Sequence, residues 1–450
     1  MTTDKFILKD ATIVNEGQIF GGSLLVSNGK IEKIFRGNLP EGISQNLPII
    51  NLNGLVLMPG IIDGQVHFRD PGLTHKGDLY SESRAAVAGG ITSFMEMPNT
   101  VPKAVTQKLL EDKFRLGQEK SLANFSFYMG TTNDNLDEVV ATDPRHVCGI
   151  KIFMGASTGN MLVDNPDTLS GIFSNARLPV AVHCEDEATI AHNLSIAKEK
   201  FGENIPVSQH PVIRNHEACL KSSTLAVNLA KKHGTRLHLL HLSTAHEMAL
   251  LENNTPLKDK QITAEACLHH LWFTDADYAQ RGSLIKWNPA IKTQADREAI
   301  RQALIGGFID VVATDHAPHT LEEKQNNYLQ CPSGAPLVQH FLPAMLEMVH
   351  QKVFTLQQVI QWMCHNPAIC FAVKNRGFIR EGYAADLTVV NLNQPQTVSR
   401  ENTLYKCGWS PFEGTSFKSS VIYTFVNGIP VFENGTFRET VKGQPLIFER

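Results

Sequence analysis

Between residues 59 and 375 the chain alternates short apolar runs of β character with stretches of helical character. Helices are expected over 217–232 and 293–306, for example. Alternation of strand and helix over this length predicts an α/β fold, specifically a (β/α)8 TIM-type barrel. An open doubly wound sheet is the alternative, but no GxGxxG motif supports it. The candidate strands are an apolar run over 54–62 and the segments 93–97, 124–129, 149–153, 179–183, 236–241, 262–266, 284–287 and 310–314.

Both ends of the chain differ from the middle in their pattern of apolar runs and turn signals. Short apolar runs over 5–8, 11–14, 22–26 and 30–34 are separated by turn signals such as Asn28-Gly29. The same pattern returns over 385–390 and 421–426, with turns at Asn427-Gly428 and Asn434-Gly435. We therefore expect a small β-sandwich domain built from residues 1–58 and 376–450, beside a catalytic barrel over 59–375.

Charge and cysteine content narrow the class of protein. The net charge of −4 is spread without runs of like charge, which argues against nucleic acid or an anionic membrane as a partner. The 8 cysteines form no CxxC motif, which favours free thiols in a reducing compartment. The segment MTTDKFILKD has no leader character, and no apolar run is long enough to span a membrane. A soluble, cytoplasmic protein acting on a small molecule is expected.

Polar side chains gather where the candidate strands end, which in a barrel is where chemistry takes place. In Asp63-Gly-Gln-Val-His-Phe-Arg69 four polar residues alternate, and period-two geometry predicts that they share one face. Lone histidines at strand ends are more often structural than ligands, and an aspartate there can merely cap a helix. Because several such residues occur at strand ends of the same chain, a functional site is favoured over these separate explanations. The other strand-end candidates are Lys151, His183, His241 and Asp315, whereas alternation turns His238 to the opposite face, under a helix.

Lys151 lies between Ile150 and Ile152 on a central strand. A charged, unpaired lysine there costs several kcal/mol, so something must neutralise it. Carbamylation by carbon dioxide is one solution, because it converts the amine into a carboxylate-like group that bridges two cations. Histidines and an aspartate at the same barrel mouth would complete a zinc site with open positions for water.

Four strings make a resemblance specific: Asp63–Gly72 (DGQVHFRDPG), GGITS with MPNT over 89–100, His241-Leu-Ser-Thr244 and Ala313–His319 (ATDHAPH). They resemble the dihydroorotases of the amidohydrolase superfamily over essentially the whole chain, including the split β domain. The resemblance implies a zinc-dependent cyclic amide hydrolase that interconverts L-dihydroorotate and N-carbamoyl-L-aspartate in pyrimidine biosynthesis.

The resemblance also implies roles for individual residues. A metal-bound hydroxide would attack the ring amide, and Asp315 would move its proton to the leaving nitrogen. Arg69 and Asn99 would bind the substrate carboxylate, to which the planar arginine fork is suited. Asn288 and His319 are similar to further substrate contacts. The metal ligands implied are His67, Lys151 in N6-carboxylated form, His183, His241 and Asp315, for one or two Zn²⁺ per chain.

Two other functions stay open at this point. Dihydropyrimidinases and allantoinases share the barrel, the lysine and the histidines, but their rings lack the carboxylate that Arg69 and Asn99 would read. A catalytically silent scaffold for aspartate carbamoyltransferase is the second alternative, although such a scaffold would be free to lose Lys151, Asp315 or Arg69. Barrels of this kind are usually dimers or tetramers, so a homo-oligomer is expected.

Gln65 departs from the family pattern, which has histidine there. A neutral amide oxygen is a poorer zinc ligand than imidazole. Gln65 would either coordinate weakly, bind a metal-bound water, or leave the more exposed metal position weakly held. We expect two metals with an altered exposed site. Ser157, Thr158 and Gly159 form a loop expected to fold over the substrate, with Thr158→Ala less damaging than Asp315→Ala.

Overall fold

A computed structural model of the chain describes residues 5–43, 46–155 and 161–450. The loop expected to act as a lid, Ser157–Gly159, lies outside these ranges. The strands are β1 (Lys5–Asn15), β2 (Gln18–Ser27), β3 (Lys30–Arg36), β4 (Ile49–Asn51), β5 (Val56–Pro59), β6 (Ile61–Val66), β7 (Ile91–Glu96), β8 (Asn124–Phe127), β9 (Met129–Gly130), β10 (Ile150–Phe153), β11 (Val180–His183), β12 (Leu237–Leu239), β13 (Ile262–Cys267), β14 (Val311–Ala313), β15 (Leu387–Asn391), β16 (Gln396–Thr397), β17 (Ser416–Phe417), β18 (Ser420–Val426), β19 (Ile429–Glu433) and β20 (Thr436–Phe437).

The helices begin at capping residues that the sequence supplies. Asn215 accepts a hydrogen bond from the Ala218 amide at the start of α7, and Thr293 does the same for Asp296 at the start of α10. The predicted helices over 217–232 and 293–306 are thereby confirmed to within one residue at each end. The α-helices are α1 (Leu79–Ala88), α2 (Gln107–Lys120), α3 (Leu136–Val140), α4 (Pro166–Asn175), α5 (Glu187–Phe201), α6 (His210–Ile213), α7 (His216–His233), α8 (Leu268–Trp272), α9 (Tyr278–Arg281), α10 (Gln294–Ile305), α11 (Leu321–Lys324), α12 (Phe341–His350), α13 (Leu356–Ile360) and α14 (Asn366–Cys370).

Parallel strands β6 to β14 form the barrel. The order β6-β7-β8 continues through β9, β10, β11, β12 and β13 to β14, and β8 and β9 are two halves of one strand interrupted at Tyr128. The barrel closes where Val66 pairs with His316 and the Thr314 hydroxyl donates to Asp63 at 2.6 Å. Burial raises the pKa of Asp63 to about 7. The TIM-type barrel is confirmed, and Asp63 belongs to its closing seam.

One predicted strand is wrong. Residues Gly282–Ile285 form a 3₁₀ turn, and Lys286–Asn288 run extended beside the barrel mouth without joining its sheet. Ile285 and Trp287 pack into the core, which explains why the run Leu284–Trp287 is apolar. A short apolar run of this kind has the same sequence pattern as a buried strand. The barrel already has its eight strands without this segment.

The two ends of the chain combine in one sheet. Its order is β20-β19-β18-β15-β5-β1-β2-β3, with β4 beside β1, so the expected sandwich takes the form of one continuous nine-stranded sheet. The contact between the halves is the antiparallel pair β5–β15, in which Leu57 lies opposite Val389. Both residues are buried in the core of this domain.

The segment after the terminal sheet returns to the barrel. The Phe125 amide donates to the Gln444 carbonyl at 3.0 Å, and the Leu446 amide donates to the Phe125 carbonyl at 2.8 Å. Gly443 lies so close to Ala123 that a Cβ atom would meet its carbonyl oxygen at 1.8 Å. Residues 443–446 therefore lie along the start of β8, where Pro445 forms a parallel bridge with Phe125. Among the described helices, none combines the length and apolar character needed to cross a bilayer.

Candidate active site

A cavity of about 170 Å³ opens at the carboxyl ends of the barrel strands. Phe153, Trp287 and the segment Pro332–Gly334 contribute to its walls. The structure brings every site residue expected from the sequence into this one lining: Gln65, His67, Arg69, Asn99, Lys151, His183, His241, Asn288, Asp315 and His319. Asp63, the first of the four alternating polar residues, does not line the cavity, because its carboxylate points into the barrel seam.

Three lining residues have left-handed backbone conformations. The φ angles are +68° at Arg69, +38° at His241 and +48° at Asp315, which non-glycine residues rarely adopt. Each lies just after a barrel strand, where the chain turns across the mouth. Such conformations cost on the order of 1–3 kcal/mol each and are typical of functional sites.

This geometry corrects the expectation for His238. The side chain packs inside the barrel, where Nδ1 lies 2.8 Å from the Thr263 hydroxyl and the ring meets Phe371 edge-on. Period-two alternation does not extend from His238 to His241, because strand β12 ends at Leu239. The left-handed backbone at His241 then turns the His241 side chain into the cavity.

His183 and His241 form the deepest pair of donors. His183 Nδ1 lies 3.0 Å from His241 Nε2, and burial lowers the pKa of both rings, so both are neutral. Two nitrogens on one tetrahedral zinc, each about 2.0 Å from it, lie about 3.3 Å apart. The pair therefore has the protonation state and spacing that one shared cation requires.

Lys151 stands beside this pair on β10. Its ammonium is buried, lies 4.4 Å from the centre of the Phe153 ring and forms no ion pair with any described residue. Burial lowers the pKa of Lys151 to about 7. Because the neutral amine is the form that reacts with carbon dioxide, this environment suits carboxylation, and the set of two imidazoles and a carbamate fits zinc.

Asp315 connects the remaining polar groups. Its Oδ1 lies 3.1 Å from His67 Nε2 and accepts a 3.1 Å hydrogen bond from the Gln65 amide nitrogen. Burial, with Glu265 nearby, raises the pKa of Asp315 to about 7. The Gln65 amide oxygen faces the Cys267 thiol at 3.9 Å. Gln65 thus presents its nitrogen, which cannot bind a cation, to the side where Asp315 and His67 meet.

A buried cation faces these donors across the cavity. The Arg69 guanidinium donates to the Pro318 carbonyl at 3.1 Å, and its Nη2 lies 3.0 Å from His319 Nε2. It forms no ion pair within the described ranges, although it is only 7% exposed. Asn99 lies beside it, 2.8 Å from His67 Nδ1. A buried guanidinium that makes no direct ion pair and borders an open cavity is suited to an anionic ligand.

Glu185 is a site residue that the sequence reasoning missed. Its carboxylate lies 3.1 Å from His183 Nε2 and forms an ion pair with Arg214. Burial acts to raise the pKa of the Glu185 carboxyl, but Arg214 and His183 lower that pKa to about 2. The sequence feature that could have identified Glu185 is its position two residues after the candidate ligand His183. A carboxylate on the second ring nitrogen fixes the orientation of a metal-binding histidine.

We expect Glu185→Gln to weaken zinc binding by about 10- to 100-fold, because His183 loses the charged partner that orients its ring. Competition with a chromophoric chelator measures this affinity directly. The matched control is Asp186→Asn at the neighbouring N-cap of α5, where asparagine still caps the helix. Equal zinc affinity in Glu185→Gln and the control would contradict the orienting role.

A separate group lies away from the cavity, at the ends of α7 and α10. Ligand atoms of His216, His246 and Asp296 lie within 4.8 Å of one another. Asp296 already accepts hydrogen bonds from the Ala245 amide at 2.9 Å and from the Thr293 hydroxyl at 2.6 Å. Its carboxylate serves the helix cap, and the group lies outside the residues that line the cavity.

The chain is similar to known proteins along most of its length. The model of the family described as "Amidohydrolase family" matches residues 56–431. The chain is 31% identical over 408 residues to a dihydroorotase from Methanosphaera stadtmanae, covering 90% of this chain and 92% of that protein. It is 31% identical over 443 residues to a dihydroorotase from Pyrococcus furiosus, covering 98% and 95%.

Among solved structures, the L-hydantoinase (dihydropyrimidinase) from Arthrobacter aurescens superposes with a TM-score of 0.91 at 25% identity, covering 97% of both chains. The barrel and the terminal sheet thus occur together in a known fold. The family match spans most of the chain, including the whole barrel. The chain belongs to the amidohydrolase family.

Proposed function

We propose that the protein catalyses the reversible hydrolysis of L-dihydroorotate to N-carbamoyl-L-aspartate, using zinc. The observation that carries this proposal is the unpaired, buried guanidinium of Arg69 opposite the His183–His241 pair in one cavity. A ring that bears a carboxylate satisfies Arg69 while its amide reaches the histidines. The two dihydroorotases at 31% identity support the same substrate class.

The metal would be held by His183, His241 and the carboxylated Lys151, with His67 and Asp315 on the more exposed side. Bound there, zinc supplies a Lewis acid for the ring carbonyl and lowers the pKa of a water molecule. The buried amine and the neutral imidazoles support this arrangement.

The protein's own groups orient the ring and move the proton. Arg69, with Asn99 and His319 beside it, binds the substrate carboxylate and thereby fixes which ring amide faces Asp315. Asp315 accepts a proton from the attacking water at Oδ and donates it to the ring nitrogen as the amide bond breaks. Burial raises the pKa of the Asp315 carboxyl, which makes its carboxylate a better proton acceptor than an exposed one. Asn288, also in the lining, is placed to accept or donate a hydrogen bond at the ring edge.

A direct assay tests the proposal. Purified protein supplied with zinc and bicarbonate is expected to hydrolyse dihydroorotate faster than dihydrouracil, hydantoin or allantoin. The structural similarity to a hydantoinase makes the ring without a carboxylate the second candidate substrate. Faster turnover of dihydrouracil or hydantoin would favour that candidate. No turnover of any ring would favour the scaffold for aspartate carbamoyltransferase.

Gln65 leads to a prediction about metal content. We expect one firmly held zinc per chain and a second that is lost first to mild chelation, because Gln65 offers no imidazole to the exposed position. Gln65→His should retain both ions under the same treatment. Elemental analysis after timed chelation measures this. Two equally retained ions in the unmodified protein would contradict the weakened position.

A further inference from the structure

One wall of the cavity consists of two segments that belong to neither the barrel sheet nor a helix. Trp287 and Asn288 come from the extended segment after the 3₁₀ turn, and Pro332, Ser333 and Gly334 come from the loop after α11. Two lysines, Lys286 and Lys324, lie in and beneath these segments. They have no role in the chemistry described above.

Lys324 connects the two segments through a single ammonium group. It is fully buried, and its Nζ donates to the carbonyl oxygens of Pro332 at 2.9 Å, Gly334 at 3.0 Å and Lys286 at 3.4 Å. An ammonium group has three N–H donors, and all three are used by main-chain carbonyls of the wall. Removing the ammonium would leave three buried carbonyls without this donor.

Lys286 holds the preceding part of the same loop. Its Nζ donates to the carbonyl oxygens of Tyr328 at 2.8 Å and Cys331 at 2.5 Å, and it lies 4.4 Å from the centre of the Tyr328 ring. The loop is thus anchored at four carbonyls, on Tyr328, Cys331, Pro332 and Gly334, by two side chains.

Neither ammonium has a carboxylate partner among the described residues. Two other buried lysines of the barrel are paired with carboxylates, Lys113 with Glu96 at 2.8 Å and Lys260 with Asp310 at 2.7 Å. Burying unpaired charge is costly, whereas a carboxylate would have cancelled it. Main-chain carbonyls satisfy the donors of both groups, while burial lowers the pKa of Lys324 to about 7 and that of Lys286 to about 8. The two side chains therefore act on the wall as hydrogen-bond donors.

The wall also contacts the group that reads the carboxylate. The Ser333 carbonyl lies 3.1 Å from His319 Nε2, which lies 3.0 Å from Arg69. Gly334 has φ +126°, and a Cβ there would meet the Ala317 carbonyl oxygen at 2.5 Å, so the loop tolerates little displacement. A shift of the loop would therefore displace His319 and, through it, the guanidinium.

We propose that Lys324 and Lys286 are positioning residues that fix the wall of the carboxylate pocket by binding its main-chain carbonyls. The inference rests on the proposed function, because it concerns recognition of an anionic ring. It assigns a role in substrate binding to two residues that do not touch the substrate.

The test is steady-state kinetics of Lys324→Met with dihydroorotate. We expect KM to rise about tenfold while kcat falls less than about threefold, because the pocket is loosened and the reacting groups are untouched. The matched control is Lys260→Met, which removes a buried ammonium at the opposite end of the barrel and should leave KM unchanged. An unchanged KM in folded Lys324→Met, or an equal rise in the control, would overturn the proposal.

A second measurement separates this inference from the substrate assignment. Amide hydrogen exchange over residues 328–335 should be faster in Lys324→Met than in the unmodified protein, whatever ring the protein hydrolyses. Unchanged exchange overturns the positioning role even if dihydroorotate is the substrate. Failure of the unmodified protein to hydrolyse dihydroorotate overturns the proposed function and leaves the exchange result to decide the positioning role. If Lys324→Met does not fold, Lys286→Met is measured in the same two ways.

Discussion

Replacing Asp315 with asparagine is expected to lower kcat for dihydroorotate by about 10³-fold, within the range for loss of a general base. Asparagine keeps the size of the side chain and can still accept a hydrogen bond from Gln65, but it cannot take the proton of the attacking water. Initial rates at saturating substrate, with zinc content measured on the same sample, test this result.

Asp310→Asn is the matched control for Asp315→Asn. Asp310 lies five residues before Asp315, at the other end of strand β14, and pairs with Lys260 at the opposite end of the barrel. We expect this variant to unfold at lower temperature because Lys260 loses its partner, while kcat of the folded protein stays the same. A loss of kcat as large in Asp310→Asn as in Asp315→Asn would mean that the effect is on folding and not on proton transfer.

The second large effect is expected at Arg69. Arg69→Met should lower kcat/KM for dihydroorotate by about 10²- to 10⁴-fold, because a charge-assisted hydrogen bond contributes roughly 1.5–3 kcal/mol and the guanidinium offers two. The variant should lose little or nothing on dihydrouracil, whose ring has no carboxylate. The ratio of the two kcat/KM values is therefore the informative measurement.

Arg69→Lys provides the intermediate case. Lysine keeps the positive charge but replaces the planar guanidinium with a single ammonium group. The kcat/KM of Arg69→Lys for dihydroorotate should therefore lie between those of Arg69→Met and the unmodified protein. Equal losses on dihydroorotate and dihydrouracil in Arg69→Met would indicate that Arg69 shapes the cavity without reading the carboxylate. That outcome would shift the proposed function towards the hydantoinase-like candidate.

Strand-end reasoning predicted which residues meet at the cavity because the rule depends on topology alone. Lys151, His183 and Asp315 lie on or just after different strands, yet parallel strands in a closed barrel bring their carboxyl ends to one mouth. Sequence spacing was sufficient for that, and the chain order of the strands did not have to be known in detail.

The errors have a common physical origin, which is local backbone geometry. Period-two alternation assigned His238 to the wrong surroundings, since the left-handed backbone at His241 decides where the His241 side chain points. The run Leu284–Trp287 is too short for periodicity to separate a buried strand from a buried turn. Glu185 was missed because its role depends on Arg214, which is distant in sequence and adjacent in space.

The contact that residues 443–446 make beside β8 has a consequence for the order of assembly. Asn124 and Gln444 are in contact although 320 positions separate them along the chain. During synthesis the lower half of β8 stays an open edge until that distant segment has left the ribosome, and open edges invite pairing with other chains. Closing so long a loop also slows folding, because entropy must be lost before the contact forms. Chains whose residues 443–446 are still being synthesised are therefore expected to be prone to pairing with other chains through β8.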